Sequence, residues 1–262
     1  MTSVLNAEQV AQYQRDGYLV IESYFTRDEM DLLLEITRAD REFIDGAVKK
    51  KDKEGRTSLL SIRHELPRDI YGAISRSKRI VEPLEQLVGS EIYHYHHKMM
   101  LKEPLVGGAW DWHQDFGYWY SSFLYPDMAS CMIAVDRATR ENGCLQVLKG
   151  SHRMGRLDHA KSGTQTGAEL ERVEAAVDQM ELVYCELEPG SVLFFHCNLL
   201  HRSDPNESED PRWSLICCYS AAHNRPVNPD VAGQYEKLET LDEGQIREIA
   251  LEHRRQVLGS LA

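Results

Sequence analysis

From Glu91 onward the sequence follows the two-residue periodicity of β-strands, and this series of short strands is the feature that most restricts the fold. The longest strand candidate covers residues 92–102 and stops before Pro104. The later strand candidates are residues 129–136, 145–148, 181–186, 191–197 and 213–220. Turn signals such as Glu141-Asn142-Gly143 and Glu188-Pro189-Gly190 separate them. Short strands divided in this way predict an all-β core, either a sandwich or a jelly-roll barrel.

Helical patterns lie on both sides of the strand series. The predicted helices are residues 7–16, 26–39, 68–88 and 241–258, and a short buried strand is predicted at residues 18–21. Thr26 caps the second helix, with Glu29 at the third helical position. Residues 47–58 are polar and non-periodic, which predicts a solvated loop or a lid.

A length of 262 residues is enough for one substantial core, and we expect a single domain over residues 1–262. Its expected parts are a helical region over about 1–89, a β core over about 90–222 and a C-terminal helix over about 240–258. Residues 151–180 interrupt the core with polar sequence and one amphipathic piece at 168–177. We predict a surface insertion there, which also has the position to cover a site.

The charge of the chain limits its partners. With 30 basic and 42 acidic residues the formal net charge is −12, which argues against a nucleic-acid backbone or an anionic membrane as partner. The chain has no apolar segment as long as a membrane span, and its first residues lack a signal-peptide pattern, so we expect a cytoplasmic protein. The six cysteines form no C-x-x-C pair and predict reduced, buried thiols.

The aromatic stretch Trp110–Tyr120 contains a histidine and a carboxylate two residues apart, His113 and Asp115. In an extended strand two residues at this spacing project from the same face, so their side chains converge. A second histidine would complete a two-histidine, one-carboxylate metal site with open positions, of the kind that binds Fe(II). His201 is the candidate for that ligand, and His196 competes with it. A histidine and an aspartate two residues apart are by themselves weak evidence for a metal site, because histidines in strands are commonly hydrogen-bonded core groups.

Arg212 opens a predicted strand shortly after His201. A guanidinium is permanently charged and planar, so it can hold a carboxylate through two hydrogen bonds inside a barrel. The chain therefore carries a candidate metal site followed by a candidate carboxylate site.

Four separated motifs now occur in one order: Trp112-His113-Gln114-Asp115, Glu141-Asn142-Gly143-Cys144-Leu145, Lys149-Gly150-Ser151-His152 and Leu200-His201-Arg202-Ser203, followed by Arg212. In these residues the sequence resembles the phytanoyl-CoA dioxygenase family of Fe(II)- and 2-oxoglutarate-dependent oxygenases. The resemblance implies a double-stranded β-helix, or jelly roll, with flanking helices.

The resemblance also implies roles for particular residues. His113, Asp115 and His201 would hold iron, and the motif position favours His201 over His196. Arg212 would bind the far carboxylate of 2-oxoglutarate with Ser203 beside it, and Lys98 would be a second contact. With O₂ as the other cosubstrate, such an enzyme hydroxylates its substrate and releases succinate and CO₂. Asp115 favours hydroxylation over halogenation, which needs a small residue there, whereas desaturation and ring closure use the same ligands.

Several neighbours of these residues carry further expectations. Strand alternation would put His94, His96 and Lys98 on one face and His97 on the other, where core roles are favoured over metal binding. Gln114 should point away from the two ligands beside it. Arg202 replaces a glycine of many relatives and would narrow or charge the mouth of the pocket.

The substrate is the least determined part of the prediction. The residues predicted to contact it are Trp110, Tyr118, Trp119, Gln146 and Trp213. A fatty acyl-CoA would need a basic entrance for its phosphates, which residues 49–53 or Arg137 and Arg140 could provide. The acidity of the chain favours a small or medium organic metabolite instead.

A third hypothesis, a metal-binding jelly-roll module without turnover, is disfavoured, because such a module has no need for an iron triad together with a buried arginine. The sequence leaves the oligomeric state open.

Overall fold

Two antiparallel sheets form the centre of the fold in a computed structural model that describes residues 5–162, 165–227 and 235–259. The strands, in chain order, are β1 (Tyr18–Ile21), β2 (Val48–Lys51), β3 (Thr57–Arg63), β4 (Ile92–Lys102), β5 (Trp110–His113), β6 (Met128–Ala134), β7 (Leu145–Leu148), β8 (His159–Ser162), β9 (Gln165–Ala168), β10 (Leu182–Cys185), β11 (Val192–His196), β12 (His201–Ser203), β13 (Arg212–Ala221) and β14 (Glu236–Lys237). The larger sheet has the order β1-β11-β6-β13-β4-β3-β2, with β14 also paired to β4, and the smaller has the order β10-β7-β12-β5. This arrangement confirms the predicted jelly-roll core.

The helices precede, interrupt and follow the strands. They are α1 (Ala7–Asp16), α2 (Arg27–Ala39), α3 (Arg41–Asp45), α4 (Ile70–Ser75), α5 (Lys78–Val88), α6 (Asp115–Trp119), α7 (Leu170–Gln179) and α8 (Glu243–Gly259). Within the described ranges, no helix is long and apolar enough to cross a membrane. Thr26 and Glu29 form the predicted capping box at the start of α2.

The larger sheet separates two cores, and β13 shows how. Leu215, Cys217 and Tyr219 belong to the core beneath the helices. Ile216 and Cys218 belong to the core between the two sheets. Because side chains alternate along a strand, Arg212 shares the inward phase of Ile216, and Trp213 shares the helix-facing phase of Leu215.

Two predictions for the N-terminal part are corrected. Residues 68–88 form two helices, because Ser77 has an extended backbone and its side chain caps α5. Residues 47–58 are not all loop, since Val48–Lys51 pair with Thr57–Leu60 as an edge strand. Lysines are common on such edges because they discourage pairing with another chain.

The predicted insertion at 151–180 contains a 3₁₀ turn (Ser151–Met154), the β8–β9 hairpin and α7. A small separate core that includes Leu157, Val173 and Leu200 fixes it to the smaller sheet. The six cysteines are free and buried, as predicted.

A bulge in β4 corrects the predicted faces of its histidines. The register to β13 passes from His96↔Cys218 to His94↔Tyr219, so Tyr95 has no partner on that strand. His94 Nε2 consequently lies 3.2 Å from His97 Nδ1, and these two rings share a face. His96 instead packs against Trp119, with ring centroids 5.5 Å apart.

The buried His94–His97 pair predicts a loss of stability in acid. Burial, together with the nearby Arg63 and His64, lowers the pKa of His97 to about 3, against about 6.5 in the unfolded chain. The unfolded state therefore binds more protons between these pH values, so stability is highest above pH 6.5 and decreases as the pH falls towards 3.

When the pH falls from 7.5 to 5.5, the free energy of unfolding should decrease. We expect this decrease to be about 1 kcal/mol smaller in His97→Gln than in the unsubstituted protein. Urea titrations of metal-free protein at both pH values measure this difference. An equal loss in the two proteins would contradict the assignment to His97.

Candidate active site

Three buried side chains meet between the two sheets, and they are His113, Asp115 and His201. One ligand atom from each lies within 4.8 Å of the other two. His201 opens β12 and pairs directly with His113 at the end of β5, so the strand register puts the two imidazoles side by side. Their ring centroids are 4.0 Å apart. The predicted set is therefore brought together.

Asp115 reaches this cluster differently from the prediction. Strand β5 ends at His113, and Asp115 is the first residue of α6. Gln114 keeps an extended backbone between them, with φ −115° and ψ 137°. The side chains at 113 and 115 therefore still converge, even though only one of them lies in a strand.

The two histidines are oriented by backbone carbonyls. Nδ1 of His113 lies 2.7 Å from the carbonyl oxygen of Asp111, and Nδ1 of His201 lies 2.9 Å from that of Leu199. Each Nδ1–H donates to its carbonyl, which leaves Nε2 with a free lone pair. Burial lowers the pKa of both rings, so they are neutral near pH 7. Two neutral imidazoles and one carboxylate are a donor set that fits Fe(II).

The carboxylate of Asp115 has a different neighbour at each oxygen. Ser130 Oγ donates to Oδ2 at 3.2 Å, and Lys98 Nζ lies 3.7 Å from Oδ1. Burial alone would lower the pKa of Lys98, but the attraction of Asp115 outweighs it and the pKa is raised. Lys98 is therefore a charged group at the metal end of the cavity.

Two further cations lie at the other end. Arg212 and Lys102 are direct cross-strand partners, and both are buried. Lys102 Nζ donates to Ser203 Oγ at 2.9 Å and to the carbonyl of Asp204. Arg212 Nη1 lies 3.4 Å from Ser214 Oγ, and its Nε has no hydrogen-bond partner.

These two buried basic groups are a candidate anion site. Burial and Arg212 lower the pKa of Lys102, and burial lowers that of Arg212 to about 10. Among the described residues, no carboxylate is hydrogen-bonded to either group. Two desolvated cations side by side are costly unless an anion joins them. Sequence reasoning missed Lys102, although it lies four residues after Lys98 on the same face of β4.

One cavity joins the metal-ligand cluster to this anion site. Its lining is Lys98, Met100, Trp110, His113, Asp115, Met132, Leu145, Phe195, His201, Arg202, Ser203, Arg212 and Ile216. Trp110 thus faces the cavity. Tyr118 is partly exposed, with its ring centroid 5.3 Å from that of His113 and its hydroxyl donating to the carbonyl of Thr166.

The other three predicted substrate contacts lie elsewhere, which corrects them. Trp213 faces the helices, and its Nε1 donates to Glu103 at 2.9 Å. Trp119 is buried against Tyr95, with ring centroids 5.5 Å apart. Gln146 lies between two inward-facing residues of β7, so it points to the outer face of the smaller sheet.

Arg202 lines the cavity, but its guanidinium is held on the outer face of the smaller sheet. Its Nε donates to Gln146 Oε1 at 3.0 Å, and its guanidinium lies 5.1 Å from the Trp112 ring centroid. That Arg202 narrows or charges the mouth of the pocket stays a prediction.

His196 is outside the metal-ligand cluster. Its Nδ1 accepts a hydrogen bond from the Asn198 N–H at 3.0 Å, and its ring centroid is 5.4 Å from that of His152. Burial lowers the pKa of His196 to about 4. It stabilises the turn before His201.

Comparison with known proteins agrees with this geometry. The family model "Phytanoyl-CoA dioxygenase (PhyH)" matches residues 13–214. Ectoine dioxygenase of Bordetella bronchiseptica is 30% identical over 249 residues, covering 87% of this chain and 79% of that protein. L-proline trans-4-hydroxylase of Streptomyces griseoviridis is 26% identical, covering 83% and 87%. The crystal structure of EctD from S. alaskensis in its apoform is 25% identical, with a TM-score of 0.71 and coverage of 87% and 82%.

The fold and the match together define the class: the chain belongs to the phytanoyl-CoA dioxygenase family. It is an Fe(II)- and 2-oxoglutarate-dependent dioxygenase. The hypothesis of a jelly-roll module without turnover is thereby set aside.

Proposed function

We propose that this enzyme hydroxylates a small or medium organic metabolite, with His113, Asp115 and His201 as the iron ligands. The observation that carries the proposal is the convergence of these three side chains within 4.8 Å in a buried cavity. When bound, Fe(II) couples the oxidative decarboxylation of 2-oxoglutarate by O₂ to oxidation of the substrate. Asp115 would supply a carboxylate ligand where halogenation needs a small residue, which favours hydroxylation over halogenation.

The cosubstrate is proposed to lie along the cavity, with its far carboxylate at Arg212, Lys102 and Ser203. The guanidinium and the ammonium supply charge-assisted hydrogen bonds, and the carboxylate offsets the repulsion between them. Lys98 is proposed as a second contact near the iron, where its ammonium also faces Asp115. Met132, Phe195 and Ile216 form apolar walls that keep water away.

The surface charges favour a small metabolite over a fatty acyl-CoA. Three of the basic groups suggested for a phosphate entrance have acidic partners: Lys53 lies 3.3 Å from Asp111, Arg137 2.8 Å from Glu188 and Arg140 3.5 Å from Glu186. A CoA phosphate would have to displace these carboxylates. Relatives named for ectoine and for L-proline support the same choice. Trp110 and Tyr118 are the proposed substrate contacts.

The choice of iron ligands predicts opposite results for two neighbouring histidines. His201→Ala should abolish both succinate release and the absorption band that forms when Fe(II) and 2-oxoglutarate are added without air, and Asp115→Ala should abolish hydroxylation. His196→Ala should retain both, because its ring stabilises a turn and does not face the metal. Loss of the band in His196→Ala with retention in His201→Ala would overturn the assignment.

The anion site predicts the affinity for 2-oxoglutarate. Arg212→Met and Lys102→Met should each weaken binding by about 10- to 100-fold, because each removes a buried charge-assisted hydrogen bond worth about 1.5–3 kcal/mol. Anaerobic titration of the same absorption band measures this affinity. Arg202→Met is the matched control, since it removes a neighbouring cation whose guanidinium is held by Gln146 and Asp204. An equal loss in all three variants would contradict the proposed site.

The substrate class is tested by succinate release in air, with free amino acids, ectoine, quaternary amines and fatty acyl-CoAs compared at equal concentration. We expect a small metabolite to raise the rate at least about tenfold, and Trp110→Ala to raise its KM. Stimulation by acyl-CoAs alone would reject the small-metabolite proposal and leave the enzyme class intact.

A further inference from the structure

Gln114, the residue between two of the proposed metal ligands, is fully buried and uses its amide completely. Its Nε2 donates to the carbonyl of Gly155 at 2.8 Å and to that of Asn198 at 2.7 Å. Its Oε1 accepts from the Leu157 N–H at 2.7 Å. As expected from strand alternation, this side chain points away from the cavity.

The partners of Gln114 belong to two different segments. Gly155 and Leu157 lie in the insertion, between the 3₁₀ turn and β8. Asn198 lies in the turn between β11 and β12, three residues before His201. One amide therefore joins the pair His113–Asp115 to the turn that carries the third ligand.

The backbone around Gln114 strengthens the same connections. The Gln114 N–H donates to His159 Nε2 at 3.0 Å, and His159 Nδ1 lies 2.9 Å from the carbonyl of Leu157. The Phe116 N–H donates to the carbonyl of Cys197 at 3.0 Å. The segment 114–116 is thus held to the insertion on one side and to the ligand turn on the other.

We propose that Gln114 is a positioning residue that holds the three metal ligands in one geometry. The inference rests on the proposed roles of His113, Asp115 and His201. Metal ligands need positions held within about 0.5 Å, and groups behind the ligands commonly change metal affinity by about 10- to 100-fold. Gln114 contacts no ligand side chain, and it acts through the backbone on both sides of the site.

Titration of metal-free protein with cobalt(II), followed by its visible absorption, measures this role without turnover. Gln114→Met has a similar shape but cannot form the three amide hydrogen bonds, so we expect cobalt affinity to fall by at least about tenfold. Gln114→Glu retains an acceptor for Leu157 and loses both donors, so the cobalt affinity of this variant should also fall. If Gln114→Met does not fold, the cobalt affinity of Gln114→Glu tests the role of Gln114.

Asn224→Leu is the control for lost stability alone. Asn224 is another buried amide, bonded to the Tyr125 backbone at 2.8 and 3.2 Å, and it has no contact with the ligand segments. We expect it to lower the melting temperature without changing cobalt affinity. Affinity within twofold of wild type in both Gln114 variants, or an equal loss in Asn224→Leu, would overturn the positioning role.

The ligand variants separate this inference from the proposed function. If His201→Ala binds cobalt as tightly as the unsubstituted protein, the ligand assignment itself has failed. If His201→Ala loses binding while both Gln114 variants retain it, only the role of Gln114 has failed.

Discussion

The antiparallel pairing of β5 with β12 is the constraint on which the active site depends. It sets His113 opposite His201, so that two imidazoles from distant parts of the chain meet at the ends of short strands. Neither strand exceeds four residues. Strands this short contribute few ladder hydrogen bonds of their own. The neighbouring strand β7, the Gln114 amide and the insertion therefore have to hold the register in which the imidazoles converge.

The fold also has to accommodate buried charged groups. Lys98 and Arg212 line the cavity, Lys102 lies beside Arg212, and Asp115 is the carboxylate among the lining residues. Such a site destabilises the empty protein, since buried charges lose hydration that their neighbours do not replace. The larger sheet offsets this cost through its helix-facing core, which is apolar along most of β6, β11 and β13. Stability and ligand binding are thus assigned to opposite faces of one sheet.

Much of the fold and of the candidate site was predictable from the sequence. The strand periodicity identified the core, and the His113–Asp115 spacing together with His201 identified the cluster that the structure brings together. The failures have physical causes. Trp213 and Gln146 follow the strand alternation, so their side chains leave the cavity although their neighbours face it. Lys102 could have been found by the same alternation, counted from Lys98.

Other features depend on tertiary contacts that no local pattern encodes. The bulge at Tyr95 changes the phase of β4, so that His94 and His97 both face the helices, while Lys98 lines the cavity and Lys102 lies beside Arg212. Without that extra residue, His94 would share the inward phase of Lys98 and bring another imidazole towards the metal ligands. The bulge therefore turns one histidine of this strand away from the proposed iron site, while His96 keeps the inward phase and packs against Trp119.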